Sequence, residues 1–445
     1  DNSNALKSYA GVIQTDPQGP LAAYAYYSIA YIQEETGKWQ EAMLAYKKLI
    51  QQHSDSPLAA QASFRIGFTL YGMSEYSEAI DNLARAINNY PDNALRAEAQ
   101  FFIGESFFRK GDYKKAVAAY TSVLKLQDAE YHDDAQYSAG WSYSELNEYS
   151  QAAAAFMRVP NLSTDNNLVA SSYFQAGRNY ILINEGDKAQ SSFQQVIDNY
   201  GDTKEAPNAL FELASIQFRN ADYAGAQNKF IQIVQNHRDA KTAPESSLMI
   251  GECFLALNNM KEAEKAFNMA AQLFDEKNIQ ATALYKLGWI KFKNGDYSGA
   301  INQFEAVLNN YADTPSIEKA LFWKAEAYYK SSDFGNAYSH YQKFIANYPQ
   351  SDRIADAYYG LGYSAQELGR FTEASGAFAK ASERTGDAGV AVDAIMREAD
   401  ALFNARAYTR AGAAYKKALN QADNIQSKSE AQYQIGMCLY RQEQF

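Results

Sequence analysis

One short motif recurs along the chain at an almost constant spacing. An aromatic residue followed three positions later by alanine occurs at Trp39/Ala42, Tyr76/Ala79, Tyr113/Ala116, Tyr149/Ala152, Tyr223/Ala226, Tyr297/Ala300, Phe334/Ala337, Phe371/Ala374 and Tyr408/Ala411. Two further units keep the alanine and lose the ring, at Gly186/Ala189 and Met260/Ala263. The step is 37 residues throughout, except for 36 between Tyr113 and Tyr149. Such a period is typical of stacked structural repeats. We call the first residue of each motif the anchor.

The side chains at three positions around the anchor are uniformly small. The residue three after the anchor is alanine in every unit, the residue nine before it is glycine or alanine, and the residue fourteen before it is alanine or serine. Seven residues after the anchor stands a large ring, with Leu83 as the exception. Glycine inside a helix costs about 1 kcal/mol, so the repeated glycine indicates that two helices approach closely there. We expect the ring to fill the space that the glycine leaves.

Each unit has the pattern of two helices joined by a short turn. Phe101 and Gly104 share one face of a helix predicted over residues 96–110. Gly111 interrupts that helix, and the anchor starts a second one over residues 113–126. Gly and Pro together make only 34 of the 445 residues, which argues against a loop-rich all-β chain. The sequence therefore predicts an all-α stack of helix pairs.

The small residue nine before the anchor, the alanine after it and the following ring, as at Gly104, Ala116 and Tyr120, resemble the central signature of the tetratricopeptide repeat. The resemblance implies a right-handed superhelical α-solenoid of about twelve tandem helix-turn-helix repeats, with residues 1–445 as one continuous array. The period is 37 residues instead of the usual 34, and the extra residues fall in the turn between repeats, as at Tyr348-Pro349.

That turn resembles a subclass of tetratricopeptide proteins of the bacterial cell envelope. Its examples are the periplasmic coordinator of the Tol-Pal division system and the lipoprotein that assembles outer-membrane proteins. The resemblance implies a location in the bacterial periplasm or in association with the outer membrane, and leaves a cytoplasmic location open.

Motifs for catalysis are missing from the sequence. It contains no His-Glu-x-x-His motif, no phosphate loop and no Gly-x-Ser-x-Gly motif. Cys253 and Cys438 occupy the same position in units five repeats apart, so we expect two separate buried thiols. The net charge of −11 argues against a nucleic-acid partner. We predict that the chain is not an enzyme, binds no metal or cofactor, and has no membrane-spanning segment, because no stretch approaches about 20 apolar residues.

By the resemblance, the first helix of each repeat lines the inner face, so the residues twelve, eight and five before the anchor face inward. The residue twelve before the anchor is aromatic in ten of twelve units, and this uniformity predicts packing between repeats. The residue eight before it varies and is freer to bind a ligand. The candidate residues of a partner-binding groove come from this position and from charges near it: Tyr31, Phe68, Glu105, Arg109, Trp141, Arg178, Arg219, Trp289, Lys293, Glu326, Lys330 and Tyr363.

These residues favour a non-catalytic scaffold that binds an extended peptide or a segment of a partner protein in an aromatic, mixed-charge groove. Binding of chaperone tails is not expected, because the position that would carry the clamp lysine is aromatic or apolar in every unit. The alternative is binding of a glycan, such as peptidoglycan or an exopolysaccharide, since exposed tyrosine and tryptophan stack on sugar rings. A third possibility is self-association through the ends of the array.

The repeat pattern has two irregularities. Pro160 stops a second helix early and Gly186 replaces the next aromatic anchor, so we predict a softer joint at residues 158–190. The length is one residue more than twelve periods, with Phe445 at an anchor position. The chain should therefore begin with an unpaired second helix and end with an unpaired first helix. This pattern predicts a window from a longer array.

Overall fold

The computed structural model describes residues 2–127 and 130–442, and within these ranges the chain is helical with no strand. In chain order the α-helices are α1 Asn2–Thr15, α2 Pro20–Glu35, α3 Trp39–Gln52, α4 Pro57–Gly72, α5 Tyr76–Asn89, α6 Arg96–Arg109, α7 Tyr113–Val123, α8 His132–Glu145, α9 Tyr149–Phe156, α10 Asn166–Leu182, α11 Gly186–Asn199, α12 Ala206–Arg219, α13 Tyr223–Asn236, α14 Ala243–Ala256, α15 Met260–Leu273, α16 Lys277–Lys293, α17 Tyr297–Asn310, α18 Ser316–Lys330, α19 Phe334–Asn347, α20 Ile354–Glu367, α21 Phe371–Arg384, α22 Ala388–Asn404, α23 Tyr408–Gln421 and α24 Ile425–Arg441.

Every second helix from α3 to α23 begins at its anchor residue. The even-numbered helices are the first helices of the repeats. The all-α fold of tandem helix pairs predicted from the sequence is thereby confirmed. Helix α1 has the repeat position of a second helix and α24 that of a first helix, while Phe445 lies outside the described residues.

The turn within each repeat has one conformation. The residue two before the anchor adopts a positive φ in all eleven repeats, whether it is glycine, as at Gly111 (φ 76°), or another residue, as at Arg406 (φ 60°). The amide of Gly111 donates to the carbonyl of Phe108, and the amide of Asp112 donates to that of Phe107, each at 2.9 Å. These two bonds form a Schellman motif, which satisfies the last carbonyls of the first helix.

The glycine nine before the anchor lies against the ring seven after it, as predicted. A Cβ atom on Gly104 would lie 2.5 Å from the Tyr120 ring, and one on Gly140 would lie 2.7 Å from the Phe156 ring. Both rings are completely buried. The helices are therefore held at a distance that leaves no space for a methyl group. The alanine three after the anchor is also completely buried in all eleven repeats from Ala42 to Ala411.

The contacts divide the chain into two compact units, residues 1–216 and residues 217–445. In the first unit, one core cluster contains Phe174, Phe193 and Leu213. In the second unit, another contains Phe322 and Tyr341. Each cluster joins two successive first helices and the second helix between them, which is how stacked repeats share a core. The single continuous array over residues 1–445 stays a prediction.

The irregular segment after α9 is compact. Helix α9 has only eight residues, and a short 3₁₀ helix over Val159–Asn161 follows it with Pro160 at its start. Val159 is completely buried. The carboxylate of Asp165 accepts a bond from the Asn167 amide and so caps α10. The greater softness of residues 158–190 remains a prediction.

Cys253 and Cys438 are unpaired and buried, as expected, and burial raises the pKa of the Cys253 thiol to about 12. Across the described part of the chain, no helix is long and apolar enough to span a membrane. The same residues contain no cluster of three or more potential metal ligands.

Candidate functional site

The rings twelve before the anchor pack inside their own repeats. In seven repeats this ring contacts the ring seven after the anchor, with centroids 5.4 to 6.3 Å apart: Tyr27–Tyr46, Phe101–Tyr120, Tyr137–Phe156, Phe174–Phe193, Tyr285–Phe304, Phe322–Tyr341 and Tyr359–Phe378. The sequence predicted packing between repeats, and these seven ring pairs instead lie within one repeat. Phe101 also reaches the next repeat, where its ring stacks on Tyr131 at 5.5 Å.

A second ring pair recurs that was not predicted from the sequence. The residue five before the anchor packs on the anchor ring at 5.2 to 5.6 Å in six repeats: Tyr71–Tyr76, Phe108–Tyr113, Phe218–Tyr223, Phe292–Tyr297, Tyr329–Phe334 and Phe403–Tyr408. The signal in the sequence was the joint occurrence of aromatic residues at both positions. This pair covers the turn between the two helices of a repeat.

Two of the predicted groove residues are acceptors for buried tyrosines. The Glu105 carboxylate accepts a bond from the Tyr120 hydroxyl at 2.6 Å, and the Glu326 carboxylate accepts one from Tyr341 at 2.5 Å. Asp400 accepts from a tyrosine in the same way. In these three repeats an acid eight before the anchor accepts from a tyrosine seven after it. The fourth tyrosine at that position, Tyr46, donates to Glu34 instead. Burial raises the pKa of Glu326, against the opposing effects of the Tyr341 hydroxyl and of the Lys330 charge.

The second unit contains a cavity of about 720 Å³ on the surface formed by its first helices, which we call the first-helix face. Helices α18, α20 and α22 supply most of its lining. The cavity brings together three of the predicted residues, Glu326, Lys330 and Tyr363. Further rings line it, namely Phe322, Trp323, Tyr329, Tyr341 and Tyr359.

The cations of this cavity lie against rings. The guanidinium of Arg353 is 4.8 Å from the centroid of Phe322 and 5.3 Å from that of Trp323. The ammonium of Lys330 is 5.9 Å from the Tyr329 centroid. Among the described residues, neither cation makes an ion pair. Arg353 was missed in the sequence because its position, eighteen before the anchor, is leucine in four other repeats. Ring contact leaves part of each cation free to bind a ligand.

The first unit contains a smaller cavity of about 280 Å³ on its own first-helix face, formed by α8, α10 and α12. Two predicted residues, Trp141 and Arg178, meet there. Ser144, Tyr149 and Leu182 complete the wall. This cavity therefore combines aromatic rings, an exposed guanidinium and a serine hydroxyl.

Three other predicted residues make contacts outside the two cavities. Tyr31 is 41% exposed and lies under the Arg65 guanidinium at 5.6 Å. The Lys293 ammonium is 5.4 Å from the Trp289 ring.

Phe68, Arg109 and Arg219 show how much exposure differs among the predicted residues. Phe68 is only 9% exposed and belongs to a core cluster, where its ring packs on Phe102 at 5.2 Å. It offers little area to a ligand. Arg109 lies beside the Tyr71 hydroxyl, and Arg219 is exposed at the end of α12.

Family models match several parts of the chain. Models of the tetratricopeptide repeat match residues 58–129, 24–56 and 134–162, which confirms the predicted repeat type. A model described as outer membrane lipoprotein, YfiO, matches residues 277–402. A model of the soluble NSF attachment protein, SNAP, matches residues 169–321. No curated protein matches the chain.

Solved structures of tetratricopeptide proteins resemble the chain at low identity. The C-terminal part of a repeat protein from Cytophaga hutchinsonii has 13% identity and a TM-score of 0.47, covering 58% of this chain and 98% of that one. YrrB, described as a tetratricopeptide protein with an unusual peptide-binding site, has 18% identity and a TM-score of 0.35, covering 43% and 92%. Yeast Tom70 has 15% identity and a TM-score of 0.34, covering 99% and 93%. At these values the likenesses carry no functional argument.

Proposed function

We propose that this chain, which is built from tetratricopeptide repeats, is a non-catalytic scaffold that binds an extended segment of a partner protein on its first-helix face. The observation that carries the proposal is the cavity of about 720 Å³ in the second unit, which is lined by six rings together with Lys330 and Arg353. Tyrosine, tryptophan and arginine are the residues that most often dominate binding energy at protein interfaces.

The chemistry of this cavity suits an extended segment. Aromatic side chains provide contact area while few rotatable bonds are fixed on binding. An extended segment also carries backbone amides and carbonyls that need partners once they leave water. Lys330 and Arg353 can donate to carbonyls, and the exposed carboxylate of Asp356 can accept from amides. Mixed charge then sets the register of the bound segment.

The proposed location is the bacterial periplasm or the outer-membrane surface facing it. Support comes from the outer membrane lipoprotein model, whose match over residues 277–402 includes every residue that lines the cavity of the second unit. The comparisons give no support to glycan binding or to self-association.

The test uses peptides selected for binding. A display library of random peptides is panned against the whole chain, and calorimetry gives the Kd of the selected peptides for wild type, Tyr363→Ala and Arg353→Ala. Each substitution should weaken binding about tenfold or more, as hot-spot truncations do. Tyr358→Ala is the matched control, because Tyr358 is on the same helix α20 outside the cavity and contacts Lys380. It should leave the Kd unchanged.

Two outcomes would contradict the proposal. One is peptide binding that neither substitution in the cavity affects, with circular dichroism showing that both variants are folded. The other is a chain that selects no peptide but gives saturable heat with soluble peptidoglycan fragments, which would favour the glycan alternative.

A further inference from the structure

The repeat anchored at Tyr149 lacks a ring that other repeats possess. In six repeats the residue five before the anchor is aromatic and packs on the anchor ring, with ring planes 59° to 68° apart. In this repeat the position is Ser144, the shortest side chain that occurs there in the chain. The cavity of about 280 Å³ in the first unit lies where that ring would be, with Ser144 and Tyr149 in its wall.

A leucine lines the cavity at a repeat position where the other repeats have a polar or small residue. Leu182 stands four residues before its anchor, where other repeats have residues such as Glu35, Arg109 and Lys330. Its side chain is 59% exposed and lines the cavity. Trp141 forms another side and packs its own ring edgewise on Phe156 at 5.9 Å. An exposed leucine and a tryptophan around a gap of this size favour an apolar guest.

The polar side chains of the cavity restrict which chemical groups can bind there. The hydroxyl of Ser144 donates to the side-chain carbonyl of Asn179 at 3.0 Å, and the Asn179 amide donates to the Gln175 backbone carbonyl, so these two side chains already have partners. Asn179 is only 5% exposed, and the Glu212 carboxylate also lines the cavity. Arg178 is exposed at the rim and makes no ion pair with any described residue. It can donate to a carbonyl of the guest's backbone beside the opening.

We infer that this cavity is a subsite for one aromatic side chain of a bound protein segment, which takes the place of the missing ring and packs on Tyr149, Trp141 and Leu182. An apolar cavity of about 150 Å³ is enough for benzene, so the volume here accommodates a phenyl or phenol ring. Tilted ring pairs are favourable beyond their contact area. The inference rests on the proposed function, since it names the kind of residue that a bound segment must carry.

The first experiment uses a small probe and needs no partner protein. N-acetyl-phenylalanine amide is titrated into the whole chain, and methyl NMR follows the signals of Leu182 and Ile181. We expect saturable ring-current shifts in wild type, none in Ser144→Phe, where the new ring fills the gap, and retained shifts in Ser144→Ala. The alanine variant is the matched control, because both substitutions remove the bond to Asn179 and only phenylalanine occupies the cavity. N-acetyl-alanine amide should shift neither signal.

The second experiment separates this subsite from the proposed function. Peptides selected on wild type should lose affinity about tenfold for Ser144→Phe, and equally when their one essential aromatic residue is replaced by alanine. Peptides that bind wild type and Ser144→Phe equally would overturn the subsite while the proposed function stands. A probe that shifts Leu182 in a chain that selects no peptide would support the cavity and remove the proposed function. Equal probe shifts in wild type and Ser144→Phe would also overturn the subsite.

Discussion

At the scale of single residues, the two helices of a repeat are held together by a glycine and a ring. A Cβ atom on Gly104 would lie 2.5 Å from the Tyr120 ring. The ring is completely buried and its hydroxyl donates to Glu105, so the ring cannot shift to make room for the methyl group. Gly104→Ala should therefore lower the free energy of unfolding by about 2 kcal/mol, because overpacking outweighs the better helix propensity of alanine. Urea unfolding measures the change.

The control for this substitution is Gly376→Ala on α21. Gly376 is an exposed helical glycine, and a Cβ atom there would meet no atom within 4 Å. The same chemical change should raise the free energy of unfolding by about 1 kcal/mol, since only helix propensity is altered. If Gly104→Ala were also stabilising, the close approach of helix and ring would not explain the repeated glycine.

The half-buried carboxylate of Glu326 makes the stability of the second unit depend on pH. Burial raises the pKa of Glu326 above its ordinary value of 4.5, so the folded chain binds this proton more tightly than the unfolded chain. The resulting stabilisation is present below that ordinary value and is lost as the pH rises through the folded-state pKa. Glu326→Gln removes the titration and retains an acceptor for Tyr341. The variant should gain stability relative to wild type as the pH is raised from about 4.5 to 8.

Thermal unfolding of both chains across this pH range tests the expectation. Glu367→Gln serves as the control substitution, because it makes the same chemical change at an exposed position at the end of α20. If the difference in thermal stability between Glu326→Gln and wild type were the same at every pH, folding would not raise the pKa of Glu326.

At the scale of elements, the turn between the helices of a repeat has one backbone shape and several different residues. Arg406 holds a φ of 60° at a position where four repeats have glycine. A left-handed conformation costs a non-glycine residue about 1–2 kcal/mol, and part of this is offset because glycine is freer when unfolded. Arg406→Gly should therefore raise the free energy of unfolding by about 0.5–1 kcal/mol.

The reverse substitution, Gly295→Ala, provides the comparison. Gly295 has a φ of 81° at the same position of another repeat, and a Cβ atom there would have open space. The Gly295→Ala variant should lose a similar amount of free energy of unfolding, because the backbone is strained and no atom clashes. A stabilising Gly295→Ala in urea unfolding would mean that the turn can change its shape when the residue changes.

Helix positions were largely predictable because each depends on residues close in the chain. The second helix expected from Tyr113 begins there, and the first helix expected over residues 96–110 ends at Arg109. The partners of individual side chains were less predictable. Phe68 has the same repeat position as Tyr31, yet Phe102 of the next repeat covers it. Exposure at such a position depends on the size of a neighbour more than 30 residues away, which local periodicity does not report.

At the scale of the whole molecule, each compact unit has a cavity of its own that candidate residues line. Trp141 and Arg178 share a cavity inside the first unit, while Glu326, Lys330 and Tyr363 share a cavity inside the second. The repeat pattern predicts which residues face the first-helix surface, because every repeat has the same turn and the same helix starts. It does not predict cavities, since these arise where one repeat departs from the others, as at Ser144 and Arg353.

Departures from the pattern also decide where the chain should open most easily. Helix α9 has eight residues where α15 has fourteen, because Pro160 cannot continue a helix. Fewer backbone bonds within a helix mean a lower free energy of local opening. Gly186, at the start of α11, has no side chain, so the ring contact that the anchor makes in six other repeats is absent. We therefore expect residues 158–190 to exchange amide hydrogens faster than residues 269–301, the corresponding segment three repeats further on.

Hydrogen exchange followed by mass spectrometry compares the two segments within one sample, so temperature, pH and protein concentration are identical for both. The completely buried Val159 and the cap at Asp165 should keep individual amides protected, and the faster exchange should appear at the end of α9 and in the turn before Gly186. Replacing Gly186 by tyrosine restores the anchor ring that most repeats have. It should slow exchange in that turn and leave residues 269–301 unchanged. Equal protection of the two segments in wild type would contradict the prediction of a softer joint at residues 158–190.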